Sequence, residues 1–123
     1  MSAPRILIVE DDQDIRVTMA HVFSGHGYEV TAAANAATAL ELLAQGPIDV
    51  VLLDYRLPDM DGLDLYHRIK DRQPEVLSVF VTAYATVEMI EAALNAGVRR
   101  VLPKPVDIPE ILDAVEELVG HGV

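Results

Sequence analysis

The chain contains no cysteine, no long apolar run and few basic residues. Without cysteine, disulfide bonds, thiolate nucleophiles and thiolate-bound zinc are excluded, and a reducing compartment is favoured. No segment approaches the ~20 consecutive apolar residues that a membrane-spanning helix requires. The amino terminus also lacks the pattern of a signal peptide. We therefore predict a cytoplasmic protein that does not enter a membrane.

Acidic residues dominate the charge of the chain. It has 20 aspartates and glutamates against 9 lysines and arginines, which gives a formal net charge of −11. Binding to a nucleic-acid backbone depends on clustered basic residues, and the one basic pair is Arg99-Arg100. We therefore expect no direct nucleic-acid partner.

Apolar runs rich in β-branched residues alternate with segments of helical periodicity. A length of 123 residues suits one domain, and we expect residues 1–123 to form that domain with no output domain attached. Strict alternation predicts an α/β fold whose parallel sheet is covered by helices on both faces. Five strands are predicted, at residues 6–9, 28–32, 50–53, 76–81 and 98–102.

Polar residues follow the apolar runs at the points where the predicted strands end. Glu10, Asp11 and Asp12 come after the first strand, and Asp54 comes after the third. Thr82 ends the fourth, and Lys104 lies between two prolines after the fifth. Ligands of open α/β sheets bind beyond the carboxyl ends of the strands, so these side chains are expected to form one site.

The carboxylates of Glu10, Asp11 and Asp54 at one edge would repel one another and favour a divalent cation as their counter-ion. Mg²⁺ suits a small acidic crevice because it takes one or two protein carboxylates and keeps several waters, and Mn²⁺ or Ca²⁺ is an acceptable substitute. With a cation bound, Asp54 can act as a nucleophile toward a phosphoryl group while the Lys104 ammonium neutralises charge. Thr82 can donate a hydroxyl hydrogen bond to a phosphoryl oxygen.

Each of these residues also has a purely structural interpretation. Asp12 or Asp14 suits a cap of the first helix, and Thr82 suits a cap of the turn that follows it. Lys104 is also consistent with an ordinary surface lysine. The fixed backbone between Pro103 and Pro105 favours an aimed side chain instead, and a cis bond before Pro105 is compatible with that sequence.

Four short motifs together resemble the receiver domains of two-component response regulators. They are Val9-Glu-Asp-Asp12, Leu53-Asp-Tyr-Arg-Leu-Pro-Asp-Met-Asp-Gly62, Val81-Thr-Ala83 and Pro103-Lys-Pro105. Their order and spacing cover essentially the whole chain. The resemblance implies a flavodoxin-like (βα)5 three-layer sandwich with a five-stranded parallel sheet in the order 2-1-3-4-5.

The resemblance also implies roles for individual residues. Asp54 corresponds to the phosphoacceptor, Asp11 to the direct metal ligand and Glu10 to the second acidic position of the metal site. The main-chain carbonyl of Arg56 corresponds to a further metal ligand, while Thr82 and Lys104 correspond to the groups that bind phosphoryl oxygens.

The implied activity is that of a signalling switch and not of an enzyme acting on a separate substrate. A sensor histidine kinase or phosphotransfer protein would donate its phosphoryl group to Asp54 in the presence of Mg²⁺. The face formed by the fourth helix, the fifth strand and the fifth helix would then rearrange and act on a downstream output domain or protein. One departure from the family pattern is Val101, which occupies a position that is often aromatic.

Two other functions are compatible with the sequence. A degenerate receiver would bind proteins without being phosphorylated, although every reactive residue is present here. A metal-dependent phosphatase with an aspartate nucleophile would need an acid two residues after that nucleophile, where this chain has Arg56. Arg56 and Tyr84 are instead expected at the rim of the crevice. The four histidines, His21, His26, His67 and His121, are expected at the surface.

Overall fold

A computed structural model describes residues 3–120 of the chain. Strands and helices alternate without exception in this part of the chain. The elements are β1 (Arg5–Val9), α1 (Gln13–Gly25), β2 (Glu29–Ala33), α2 (Ala36–Leu43), β3 (Val50–Leu53), α3 (Gly62–Arg72), β4 (Leu77–Thr82), α4 (Val87–Ala96), β5 (Arg100–Pro103) and α5 (Ile108–Val119).

All five strands form one parallel sheet in the order β2-β1-β3-β4-β5. The fold class and strand order that the resemblance implied are therefore confirmed. Because β1 and β3 are neighbours, Val9 pairs with Leu53 at their carboxyl ends. Glu10 and Asp54, the next residue of each strand, consequently leave the sheet side by side.

Helices cover both faces of the sheet, so alternate residues of the central strands are buried on opposite sides. One core lies under α2, α3 and α4, and the other lies under α1 and α5. The strand residues buried in the first core are Leu7, Val9, Ala33, Val51, Leu53 and Phe80. Those in the second are Ile6, Ile8, Val50, Leu52, Val79 and Val81. This layering buries both faces of the central strands.

Three strands begin one or two residues later than the apolar pattern predicts. The amides of Tyr28, Val76 and Val98 donate to the carbonyls of Phe23, Gln73 and Ala93, respectively, at distances of 3.0–3.2 Å. The first and last of these bonds close the carboxyl ends of α1 and α4, and the second closes the turn after α3. Each residue is buried, but its amide still belongs to the preceding element.

Candidate functional site

Three carboxylates converge at the carboxyl ends of β1 and β3. Glu10, Asp11 and Asp54 each offer an oxygen, and these oxygens all lie within 4.8 Å of one another. Glu10 and Asp54 are buried, whereas Asp11 is exposed. Backbone hydrogen bonds from Glu10 N to Ala33 O and from Asp54 N to Val9 O fix the two buried residues to the sheet. The cluster thus offers oxygen ligands at an open edge.

Lys104 reaches into this cluster from the loop between β5 and α5. Its Nζ lies 2.9 Å from Glu10 Oε1 and 3.1 Å from Asp54 Oδ2. The Lys104 amide also donates to the carbonyl of Thr82 at 2.8 Å, and the Lys104–Pro105 peptide bond is cis. The side chain is therefore directed inward, in agreement with the interpretation drawn from its two flanking prolines.

The titration of Glu10 and Lys104 reflects this shared environment. Burial raises the pKa of Glu10, although hydrogen bonds from Lys104 and from the Asp12 amide oppose that effect. Burial alone would lower the pKa of Lys104, but hydrogen bonds and attraction from Glu10 and Asp54 outweigh it and raise that pKa. A buried carboxyl that resists ionisation and an ammonium that retains its proton together reduce the repulsion within the cluster.

Thr82 lies at the carboxyl end of β4 and is fully buried. Its hydroxyl accepts a hydrogen bond from the Tyr84 amide at 3.1 Å. This contact caps the turn after β4, which is the structural role that the sequence predicted for Thr82. A hydroxyl that accepts there keeps its hydrogen to donate elsewhere. The two interpretations of Thr82 are therefore compatible with each other.

Arg56 and Tyr84 meet at the rim of the site. The Arg56 guanidinium carbon lies 4.5 Å from the centre of the Tyr84 ring, which is a cation–π contact between the loops that follow β3 and β4. The Arg56 amide donates to Asp54 Oδ1 at 3.1 Å. Arg56 thus contacts the carboxylate through its backbone amide while its side chain packs on the Tyr84 ring.

The loop that carries Arg56 approaches α3 very closely. A Cβ atom on Gly62 would lie 2.7 Å from Tyr55 Cα and would overlap the Asp54 carbonyl oxygen. Gly62 N donates to Tyr55 O at 2.6 Å. This position therefore requires glycine because of close backbone approach, and the contact holds Asp54 against the first turn of α3.

Three residues at the site were not predicted by sequence reasoning. Arg16 donates from Nη1 to the carbonyls of Glu10 and Asp11 at 2.8 and 3.3 Å. Asp59 accepts hydrogen bonds from the first amides of α2. Asp61 caps α3 through the amides of Leu63 and Asp64. Of the three, only Asp61 could have been predicted from the local sequence, because an aspartate before a helical pattern is typical of a helix N-cap.

Other residues have the positions expected of them. Asp12 caps α1 by accepting from the Ile15 amide at 3.0 Å. His21, His26 and His67 are exposed, and His121 lies outside the described residues. A cleft of about 1030 Å³ lies at the opposite end of the sheet against Tyr28, Gln73 and Glu116. The carboxylate cluster lies at the other end, where β1 and β3 finish. No described helix is long and apolar enough to span a membrane.

Comparison with known proteins gives consistent matches. The model of the response regulator receiver domain matches residues 6–116. Sporulation initiation phosphotransferase F of Bacillus subtilis is 37% identical over 117 residues, which cover 95% of this chain and 94% of that protein. The DNA-binding transcriptional regulator NtrC of Escherichia coli is also 37% identical, over 116 residues, but the chain spans only 25% of its length.

Solved structures of other proteins have the same fold as this chain. The non-phosphorylated HemR receiver domain of Leptospira biflexa has a TM-score of 0.91 and 31% identity, with coverage of 98% of this chain and 97% of that one. A response regulator of Burkholderia pseudomallei, solved with a phosphorylated aspartic acid, a calcium ion and citrate, has a TM-score of 0.82 and 26% identity. In that case the match covers 98% of this chain and 76% of the other.

Proposed function

The chain belongs to the response regulator receiver domain family, and we propose that it is a switch phosphorylated on Asp54 with the help of Mg²⁺. Phosphorylation-dependent two-component signalling is the function of the family, and the assignment to Asp54 is ours. The observation that carries it is the position of Asp54, which is buried beside Glu10 and Asp11 and hydrogen-bonded to Lys104. The aspartyl phosphate in the Burkholderia relative supports the same chemistry.

The donor set of the cluster fits a hard divalent cation. Asp11, Asp54 and the Arg56 carbonyl would hold Mg²⁺ or Mn²⁺, and Glu10 would hold it directly or through water. The ion would supply charge neutralisation for phosphoryl oxygens as they approach the carboxylates. The calcium ion in the Burkholderia structure is a comparable cation in a relative of this chain.

The residues of the chain then divide the work of phosphoryl transfer. An Asp54 carboxylate oxygen attacks the phosphorus of a phosphohistidine, so a P–O bond forms while the P–N bond to the histidine breaks. The imidazole leaves with the bonding electron pair and regains a proton from solvent. Lys104, which already bonds Asp54 Oδ2 at 3.1 Å, would transfer its contact to a phosphoryl oxygen.

Thr82 would transmit the change. A phosphoryl group on Asp54 adds hydrogen-bond acceptors and negative charge, and the Thr82 hydroxyl has a hydrogen to donate to one of them. That movement would shift the Thr82–Tyr84 turn that precedes α4 and so bias the α4-β5-α5 face. Val101 in β5 is a half-buried aliphatic residue, so this face would switch without an aromatic side chain at that position.

The partners follow from the same assignment. We propose a sensor histidine kinase or a phosphotransfer protein as the donor, and an output domain or protein as the receiver of the signal. Relatives such as NtrC are four times longer than the region that matches, which is consistent with an output on a separate part of the polypeptide. The chain would supply catalytic groups for its own phosphorylation and dephosphorylation only.

Intact mass after incubation with a small phosphoryl donor such as acetyl phosphate tests the proposal. The parent should gain one phosphoryl group with Mg²⁺ and none with EDTA, and Asp54→Asn should gain none. Asp49→Asn is a matched control because Asp49 precedes the same strand at its opposite end. Failure of the folded parent to gain the adduct would refute the proposal and favour a degenerate receiver that only binds proteins.

A further inference from the structure

The loop between β3 and α3, residues 54–61, carries the Arg56 carbonyl and is closed at its base. Arg56 pairs with Asp61 in an antiparallel bridge, and Gly62 N donates to Tyr55 O at 2.6 Å. These contacts fix the two ends of the loop relative to each other. The orientation of the loop as a unit then depends on what holds its tip, residues 57–60.

Asp59 holds that tip against the amino terminus of α2. Its Oδ1 accepts from Ala36 N at 2.9 Å, and its Oδ2 accepts from Ala37 N at 3.0 Å. The first amides of a helix have no partner within the helix and favour negative charge, so a carboxylate from another segment suits them. These same bonds, chiefly the one from Ala36, lower the pKa of Asp59 from its ordinary value.

The helix that receives Asp59 is itself anchored. Ala36, Ala39 and Leu43 of α2 are buried in the core against the sheet. Asn35 caps the same helix independently, because its Oδ1 accepts from Thr38 N at 2.8 Å. The contact from Asp59 is therefore not needed to complete the cap at Thr38, but it does connect the loop tip to a rigid element.

We propose that Asp59 is a positioning residue for the divalent cation. By fixing the loop tip to α2, it would hold in place the loop that carries the Arg56 carbonyl, which is the main-chain ligand proposed for the cation. The inference rests on the proposed function, since it assumes a cation at that cluster. Groups that orient metal ligands from outside the coordination shell typically change metal affinity by roughly 10–100-fold when removed. Leu57 and Met60 also pack against the core and would retain part of the loop's order, so the lower end of that range is expected.

The test is a Mg²⁺ titration of the 123-residue chain followed by amide chemical shifts, with thermal unfolding measured in EDTA. Asp59→Ala should raise the dissociation constant about 10-fold, and Asp59→Asn, which keeps one acceptor oxygen, should have a smaller effect. Asn35→Ala removes a cap from the same helix without touching the loop, and Asp64→Asn removes an exposed charge at the start of α3. Both controls should leave the dissociation constant close to that of the parent.

The outcomes separate this inference from the function on which it rests. If the parent binds Mg²⁺ and is phosphorylated but Asp59→Ala binds Mg²⁺ equally well, the inference is wrong and the function stands. An equal loss of affinity in Asp59→Ala and Asn35→Ala would assign the effect to the stability of α2 and overturn the inference. An equal loss of affinity in Asp64→Asn would assign the effect to net charge and would also overturn the inference. If the parent neither binds Mg²⁺ nor gains a phosphoryl group, the proposed function itself is wrong.

Discussion

Replacement of Lys104 by methionine should destabilise the protein in a way that depends on pH and on Mg²⁺. The ammonium pairs with two carboxylates, at 2.9 and 3.1 Å, whose side chains are only 3% and 9% exposed. Methionine preserves most of the volume of the side chain but removes its charge. Glu10 and Asp54 would then remain buried beside each other without a cation, and this is a strongly unfavourable arrangement.

The cost has an upper bound set by proton uptake. Protonation of Glu10 relieves the repulsion, and bringing a carboxyl with an ordinary pKa of 4.5 to the protonated state at pH 7 costs about 3 kcal/mol. The Lys104 side chain is 22% exposed, so solvent screens part of the effect. We therefore expect a loss of about 2 kcal/mol in the free energy of unfolding at pH 7.

The sign of the pH dependence follows from Glu10. Its pKa is raised in the folded protein, so its contribution to stability is present below pH 4.5 and is lost as the pH rises through the folded pKa. Removal of Lys104 would raise that pKa further and extend the loss toward neutral pH. At pH 5 protonation of Glu10 costs less than about 1 kcal/mol. The difference in the free energy of unfolding between Lys104→Met and the parent should therefore fall to that level or below.

Urea unfolding followed by far-UV circular dichroism measures these differences. In EDTA the loss should be large at pH 7 and small at pH 5, and Mg²⁺ should stabilise Lys104→Met more than the parent because the dication replaces the missing charge. Lys70→Met is the control, since Lys70 is the only other lysine and lies on α3. An equal loss at both pH values, or an equal gain from Mg²⁺ in variant and parent, would refute the electrostatic reasoning.

Three further predictions concern the loop, the rim and the opposite end of the sheet. Gly62→Ala should cost about 1–3 kcal/mol in urea unfolding because its Cβ would overlap the backbone of Asp54 and Tyr55; stability equal to the parent would show that the loop relaxes freely. Tyr84→Ala, which removes the Arg56 contact, should shorten the lifetime of the phosphorylated form measured by mass, whereas an unchanged or longer lifetime would contradict a covering role. Burial, with a smaller contribution from Glu116, raises the pKa of Tyr28 to about 12 from 10.0, so its stabilising effect is present below pH 10 and lost toward pH 12. Between pH 10 and pH 12 the free energy of unfolding should fall less in Tyr28→Phe than in the parent. An equal fall in both would refute the raised pKa of Tyr28.

Sequence patterns predicted the fold well because apolar periodicity reports burial directly. The runs around Val50 and Ile6 are buried on both faces of the sheet, and only a central strand of an α/β fold needs that. The starts predicted at Tyr28 and Val98 are one and two residues too early. These side chains are buried like those of the strand, but their amides close the preceding helix, and no apolar pattern encodes the partner of an amide.

The convergence of Glu10, Asp11, Asp54 and Lys104 was predictable because parallel strands bring their carboxyl ends to one edge. Glu10, Asp54 and Lys104 each follow a strand end directly, and Asp11 comes one residue later. The parallel register places them at one edge, and the long side chain of Lys104 reaches Glu10 across it. The roles of metal ligand and phosphoacceptor were inferred from the chemistry of these residues and from the resemblance, and they stay predictions until the mass and titration measurements are made.

The contact of Asp59 with α2 could not be predicted from the sequence. Its partners, Ala36 and Ala37, lie 23 and 22 positions away in the chain and have no polar side chains that would mark them. The contact exists because a helix terminus offers unpaired amides and a loop tip happens to pass it, and both conditions depend on tertiary geometry. In the sequence, Asp59 is one more acid in a turn between Pro58 and Gly62. Residues that bind through their own side chains can thus be found from strand ends, whereas residues that only orient those ligands need the packed structure.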